Sequence, residues 1–339
     1  MPNSVTAMNP AAPESIFVDT PQASGWLSWP TASVAAAPQA HAAPARAAFE
    51  ATQAAALAQG FVPIEALILA HMARRHALRH SGSITGFALD SANLPHLSLP
   101  DTAPRAAPGT PMPQFARLSN ADLGLYAVVD SAAWVQRVLE AGVRTVQLRF
   151  KNPHDPALRG EIRQSIAAAS QANAQLFIND HWQLAIEEGA YGVHLGQEDL
   201  AIADLAAVAK AGLRLGISTH AYWEVCRAWA LQPSYIACGP VHATNSKDMP
   251  WTPQGNDNLA YWSALLSQSG SIPVVGIAGM DATRVGEAAQ CGAAAAAVIT
   301  AITAAPSPET AISKLQQAWA TGKAGVRWPV PSQPRPTLR

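Results

Sequence analysis

Two aspartates, Asp180 and Asp199, each follow a short apolar run, in Phe177-Ile178-Asn179-Asp180-His181 and in Gly192-Val193-His194-Leu195-Gly196-Gln197-Glu198-Asp199-Leu200. Between the runs, Leu184, Ala185 and Ile186 followed by Gly189 suit a short helix over residues 182–190, closed by glycine. The unit reads strand, helix, strand, with a carboxylate at or just beyond the carboxyl end of each strand. Where such units build an α/β barrel, those ends share one face, the face on which active sites sit. Two carboxylates there can hold one hard cation, and a shell completed by water or phosphate oxygens makes magnesium (Mg2+) the fitting ion. An aspartate after a strand also caps helices, so Asp180 could cap the helix from 182 and Asp199 one from about Ala201. His194, inside an apolar run, reads as a hydrogen-bonded core histidine.

Cations accompany the carboxylates. Gln147, Arg149 and Lys151 alternate along Val146-Gln147-Leu148-Arg149-Phe150-Lys151, and a period of two sets all three on one side of a strand and its extension. An amide and two cations converging on a barrel mouth suit a polyanion, because Arg grips phosphate oxygens bidentately. A surface strand with solvated charges is the alternative. Ser218, in Gly216-Ile217-Ser218-Thr219-His220, can bond a phosphate or cap the next helix. Thr244, Ser246 and Lys247 offer hydroxyls and a cation from a loop that runs from Gly239 to Gly255 with few apolar anchors. Loops of that length serve as lids or ligand clamps, or are simply solvated. Gly279, in Gly276-Ile277-Ala278-Gly279-Met280, permits close backbone approach or serves only a tight turn. Ile299 and Thr300 bring amides to a helix start, and the loops after strands seven and eight are the usual phosphate site of a barrel.

The elements that must position these residues can be counted. Short β-branched runs at 125–129, 145–150, 175–178, 192–195, 214–217, 235–238, 273–277 and 296–299 alternate with helical stretches, and a last helix spans 309–320. Eight runs with seven crossovers predict a (β/α)8 TIM barrel over residues 117–322, followed by a tail at 323–339. An open doubly wound sheet is the other candidate, but no Gly-x-Gly-x-x-Gly turn follows the first strand. Residues 1–116 differ in character: they hold 14 of the 27 prolines, and the stretches 1–44 and 80–113 are expected to be irregular. Between them, residues 47–59, stopped by Gly60, and residues from Pro63 to about Arg79 read as two helices. Such a pair has little core of its own, so it is expected to lean on the second region.

Composition sets the remaining bounds. A net charge of −1 gives no global field for nucleic acid or a membrane surface. No apolar run reaches the roughly 18–20 residues of a membrane span. Residues 1–30 lack a basic segment followed by an apolar core, so they do not read as a secretory signal. Cys226, Cys238 and Cys291 are odd in number and lie in apolar segments, which predicts buried thiols in a reducing cytoplasm. Nothing in the sequence sets the oligomeric state, and a homo-oligomer is compatible with it.

Taken together, the segments resemble the thiamine phosphate synthase family. The residues that carry the resemblance are Gln147-Leu148-Arg149-Phe150-Lys151, Ile178-Asn179-Asp180, Gly192 to Asp199, Gly216 to His220, Gly239-Pro240-Val241 with Thr244 to Lys247, and Val275 to Met280. They fall in the family's order over about residues 122–320. The resemblance implies a transferase that joins hydroxymethylpyrimidine diphosphate to thiazole phosphate, releasing pyrophosphate and forming thiamine phosphate. It implies pyrophosphate contacts at Gln147, Arg149, Lys151, Asn179 and Lys247, with Ser218 nearby, and catalytic roles for Arg149, Lys151 and Lys247. Magnesium ligands fall on Asp180 and Asp199, and thiazole-phosphate contacts on Thr244, Ser246, Gly279, Ile299 and Thr300. Phe150, Ala278, Thr300 and the alanine run in 292–297 depart from the family's usual residues. A thiazole tautomerase and a non-catalytic binder of thiamine precursors are the competing readings. Residues 54–79 resemble, more faintly, the last helices of hydroxymethylpyrimidine phosphate kinase, without that enzyme's glycine-rich anion hole, which implies a non-catalytic extension.

Overall fold

The computed structural model describes residues 15–29, 41–80, 87–98, 114–244, 250–268 and 272–338. The chain divides into two units, one of Met1–Met112 with Tyr222–Ala230, the other of Pro113–Ala221 with Leu231–Arg339.

The first unit corrects the expectation of irregular flanks at 15–28 and 96–97, while 1–14, 30–40, 81–86 and 99–113 lie outside the described residues. Strands β1 (Ser15–Asp19) and β2 (Ser24–Ser28) form an antiparallel pair with Ile16 opposite Leu27 and Phe17 opposite Trp26. Helix α1 (Ala42–Ala58) starts earlier than the sequence suggests, with Pro44 tolerated in its first turn. Gly60, at φ +85°, ends it, and Pro63 opens α2 (Pro63–His80). A short third strand, β3 (His96–Leu97), then pairs with β2 and sets Leu97 beside Leu27. The helix pair therefore has a core within its own unit: Leu27, Trp29 and Leu97 are buried along with Ile64, Ile68 and Leu69 of α2. The Trp29 indole N–H donates to the Asn93 carbonyl at 3.0 Å, and the Arg75 guanidinium lies over the Trp29 ring at 5.2 Å. Each strand is short, and β3 is far from its partner in sequence, so no local alternation announces the sheet.

The second unit is a closed parallel barrel. Its strands are β4 (Gly124–Val129), β5 (Thr145–Leu148), β6 (Gln175–Asn179), β7 (Gly192–Leu195), β8 (Arg214–Thr219), β9 (Tyr235–Cys238), β10 (Val274–Gly276) and β11 (Ala295–Val298). Neighbours in sequence pair in parallel, and β11 closes onto β4 with Ala296 opposite Leu125. Helices α3 (Ala132–Glu140), α4 (Leu158–Gln171), α5 (Trp182–Glu187), α6 (Gln197–Ile202), α7 (Leu205–Lys210), α8 (Tyr222–Leu231), α9 (Gly255–Ser267), α10 (Ala282–Gln290), α11 (Thr300–Thr303) and α12 (Pro308–Ala324) follow the strands. Side-chain caps start several of them: Ser131 accepts from the Trp134 N–H and Asp281 from the Arg284 N–H. All eight predicted runs are strands, with ends shifted by at most two residues.

Three aromatic rings fill the barrel interior. Phe177 packs edge-on to Tyr235 at 5.0 Å between centroids, and Tyr126 lies 5.9 Å from Tyr235 and 6.0 Å from Phe177. Two glycines make room for them. A Cβ on Gly192 of β7 would meet the Phe177 ring at 2.7 Å, and one on Gly216 of β8 would collide with the Tyr235 ring. The tail also departs from expectation, because α12 runs on to Ala324 and the segment after it is tied down. Trp328 donates its indole N–H to Asp257 at 3.0 Å, and the Arg335 backbone exchanges hydrogen bonds of 2.7 and 2.9 Å with the Asn258 side chain of α9.

Helix α8 follows β8 along the chain but falls in the first unit, where its Tyr222 ring meets Phe61 edge-on at 5.9 Å. Tyr222, Trp223, Val225 and Ala228 are all buried. Deleting residues 1–112 is therefore expected to strip α8 of its cover, giving a chain that aggregates or melts well below the full protein. Thermal unfolding and size-exclusion chromatography of the truncated chain check this; an unchanged melting temperature in a monodisperse truncation would contradict it.

Candidate active site

At the end of β6 the chain turns sharply. Asp180 has φ +63°, and its backbone N–H donates to the His194 carbonyl of β7 at 3.0 Å. It caps nothing: α5 begins after His181, with no side-chain cap. Asp199 is the third residue of α6, and its carboxylate reaches back to accept from the Gly196 N–H at 3.2 Å, at the start of its own helix. The helix starts four residues before the expected Ala201 because Gln197-Glu198-Asp199 itself forms its first turn, and Asp204 is the residue that caps α7. The two carboxyl groups face each other. Asp180 reaches solvent at the barrel mouth, yet the surrounding protein strips part of its hydration. That burial, then the Asp199 charge and a hydrogen bond to Asp199, push the Asp180 carboxyl up to about 6, against the opposing pull of Arg149 and His181. Strand-end carboxylates on neighbouring units, repelling across a shared gap, are a fitting donor set for a hard divalent cation.

Arg149 acts on this pair, among residues of β5, β6 and β8. Gln147 is buried in β5 and its Nε2–H donates to the Tyr126 hydroxyl at 3.3 Å. The Arg149 N–H donates to the Val129 carbonyl at 2.7 Å, extending the β4–β5 ladder, while its guanidinium acts electrostatically on both Asp180 and His194. Lys151 is exposed just beyond it. Asn179 is buried at the end of β6, in register with His194. His181 donates its Nε2–H to the Phe150 carbonyl at 2.9 Å, fastening the loop after β5 to the β6 turn. Ser218, half-buried in β8, lies 2.7 Å from His194 Nε2, and its carbonyl accepts from the Gln197 side chain at 2.7 Å.

On the far side of the mouth, Gly279 has φ +69° and an added Cβ would stand 2.7 Å from both the Ala243 carbonyl oxygen and His242, so the loop after β10 lies directly on the loop after β9. Thr244 is half-buried on that second loop. Ile299 precedes α11 and exposed Thr300 begins it. Ser246 and Lys247 lie outside the described residues. One other group among the described residues could chelate a metal, His76, His80 and Asp90 in the first unit. Asp90 is already engaged there, accepting from the Ala92 N–H at 2.9 Å and paired with Arg79 at 2.8 Å.

Comparison with known proteins decides the family. The family model for thiamine monophosphate synthase matches residues 125–302. The chain belongs to that family. The thiamine-phosphate synthase of Neisseria meningitidis (serogroup A) is 49% identical over 197 residues, covering 58% of this chain and 95% of the relative. That of Serratia proteamaculans is 51% identical over 195 residues, covering 58% and 91%. Among solved structures, thiamine phosphate pyrophosphorylase from Pyrococcus furiosus is 25% identical, covers 60% of this chain and 98% of that one, and superposes with a TM-score of 0.52.

Within the thiamine monophosphate synthase barrel, sequence reasoning passed over Tyr126 and Tyr235, whose hydroxyls bond each other at 2.8 Å, with Tyr235 also 2.6 Å from His194 Nδ1. The available signal was parity: Tyr126 and Tyr235 each share a strand face with interior positions. The departures have structural consequences as well. Ala278, one of the departures noted in the sequence, sits at φ +76°. A left-handed non-glycine residue costs about 1–2 kcal/mol, partly offset by the smaller entropy that alanine loses on folding. Ala278→Gly is expected to stabilise the protein by about 0.5–1 kcal/mol, read as a higher denaturant midpoint at constant slope.

Asp180 makes a pH-dependent prediction. Its carboxyl binds a proton more tightly in the fold, near 6, than the roughly 3.9 of an unfolded aspartate. Folding is therefore penalised above that upper value, and the penalty fades as pH falls toward the lower one. Without divalent cations, Asp180→Asn should melt higher than the parent above about pH 6, with the gap closing toward about pH 4. Melting curves across that range check the sign; a variant that melts lower throughout would contradict it.

Proposed function

We infer that the chain acts as a thiamine phosphate synthase, a transferase that joins hydroxymethylpyrimidine diphosphate to thiazole phosphate and releases pyrophosphate. The observation that carries this reading is the facing pair Asp180 and Asp199 with the Arg149 charge upon it, at one barrel mouth in a chain of this family. Asp180 and Asp199 would hold a magnesium ion, which when bound supplies charge neutralisation to a diphosphate. Arg149, Lys151 and Lys247 bind the same diphosphate and stabilise the charge that grows on it as the carbon–oxygen bond breaks. Gln147, Asn179 and Ser218 orient it by hydrogen bonds. The aminopyrimidine ring feeds electrons to its methylene carbon, and the thiazole nitrogen attacks that carbon, so no protein nucleophile is required. Thr244, Ser246, Gly279, Ile299 and Thr300 receive the thiazole phosphate on the opposite side. A tautomerase would have no diphosphate to expel and no use for this set of cations.

Among the described residues no helix is long and apolar enough to cross a membrane. All three cysteines are free and buried, and burial holds the Cys238 and Cys291 thiols up at about 12. Thiols so protected suit a chain that works in the reducing cytoplasm on small-molecule substrates.

The test is pyrophosphate release from the two precursors over a magnesium titration. The parent is expected to release pyrophosphate and form thiamine phosphate only when both precursors and magnesium are present. Asp180→Asn and Asp199→Asn are each expected to lower the rate by about 10²–10³. Turnover of the thiazole alone would favour the isomerase. No turnover of either kind would leave only a binding role.

A further inference from the structure

A line of side chains crosses the barrel interior from β5 to β8. Gln147 Nε2 is 3.3 Å from the Tyr126 hydroxyl, which is 2.8 Å from the Tyr235 hydroxyl. Tyr235 is 2.6 Å from His194 Nδ1, and His194 Nε2 is 2.7 Å from Ser218 Oγ. Tyr126, Tyr235 and His194 are buried, so each of their protons must find an acceptor within the line. Counting protons gives the line one direction. The Gln147 amide nitrogen can only donate, so the Tyr126 oxygen accepts from it. The single Tyr126 proton then goes to the Tyr235 oxygen, and the Tyr235 proton to His194 Nδ1. A neutral imidazole that accepts at Nδ1 carries its hydrogen on Nε2, which donates to Ser218 Oγ. Burial, and after it the Arg149 charge, disfavour a second proton on this ring, in keeping with a neutral imidazole. Ser218 Oγ is thus occupied as an acceptor from behind, and its own proton remains to be given forward.

We propose that Tyr126, Tyr235 and His194 form a one-way hydrogen-bond relay that fixes Ser218 as a donor toward a substrate phosphate oxygen. The three are positioning residues. They touch no reacting atom and act by deciding which way the Ser218 hydrogen points. The assignment rests on the synthase reading above for the identity of the anion, and on this geometry alone for the direction. A hydroxyl free to rotate could present a lone pair to the anion and repel it; one held as a donor carries no such reorganisation cost. The glycine at 216 belongs to the same device, because any side chain there would drive Tyr235 off the line.

Two measurements test the relay. In the full chain labelled with ¹⁵N-histidine, the His194 ring is expected to carry its proton on Nε2. Tyr235→Phe, which keeps the ring and removes only the hydroxyl, should shift the ring toward the Nδ1–H form or a mixture. A parent already protonated on Nδ1 would mean that the line runs the other way, and would overturn the proposal. The second measurement is a cycle of Tyr235→Phe and Ser218→Ala, read by binding of inorganic pyrophosphate and by kcat/KM. Each single change should cost about ten- to a hundredfold, and the double variant should be no worse than Ser218→Ala alone. Independent, multiplicative losses would overturn the relay. If Tyr235→Phe fails to fold, Tyr126→Phe reads the same coupling one link further back, with a smaller loss. A parent with the Nε2 tautomer and coupled pyrophosphate binding, but no thiamine phosphate formed, would retain the relay and overturn the synthase reading instead.

Discussion

Two carboxylates that face each other at the ends of adjacent barrel strands repel, and the turns that carry them hold them there against that repulsion. Asp180 is held in place by a left-handed turn and a backbone bond to the neighbouring strand, Asp199 by the first turn of α6. The Asp199 carboxylate cannot swing away without giving up the Gly196 N–H. Arg149 and His181 relieve part of the strain, but the Asp180 carboxyl still holds its proton far more tightly than a solvated aspartate. Such pre-set negative charge is what a small hard cation would complete, in keeping with the magnesium site proposed above.

The barrel interior solves a second problem, that of keeping polar groups dry without leaving them unpaired. Tyr126, Phe177 and Tyr235 supply bulk, and the glycines at 192 and 216 leave the space their rings occupy. Two of the three rings carry hydroxyls, and these join to each other and onward to Gln147 and His194. A buried network satisfied along its length is rigid, since each member fixes the orientation of the next. The packing core and the hydrogen-bonded floor of the site are therefore the same side chains. This links a volume constraint in β7 and β8 to the chemistry at the mouth.

The first unit has a different logic. Its two helices bury apolar residues against a small three-stranded sheet, and α8, which follows barrel strand β8 in sequence, is part of that unit. A boundary drawn at residue 116 follows composition, whereas the contacts follow burial.

By itself the sequence determined the barrel and pointed to the residues proposed for its site. Period-two and period-3.6 patterns reflect which face of each element is buried, a local property, and so the eight runs, the Asp180 and Asp199 pair and the Gln147, Arg149 and Lys151 alternation could be read directly. Tertiary structure alone decided the rest. The β2 and β3 pairing, with Leu27 opposite Leu97, depends on a contact about seventy residues apart with no local signature. Whether Asp199 serves a helix start or faces Asp180 could not be read from spacing, because its carboxylate accepts the Gly196 N–H and still faces Asp180. Tyr126 and Tyr235 carry no local signature of a site, and only strand closure brings their hydroxyls together. Hydrogen bonds are directional and run between strands distant in sequence, so their partners exist only once the barrel has closed.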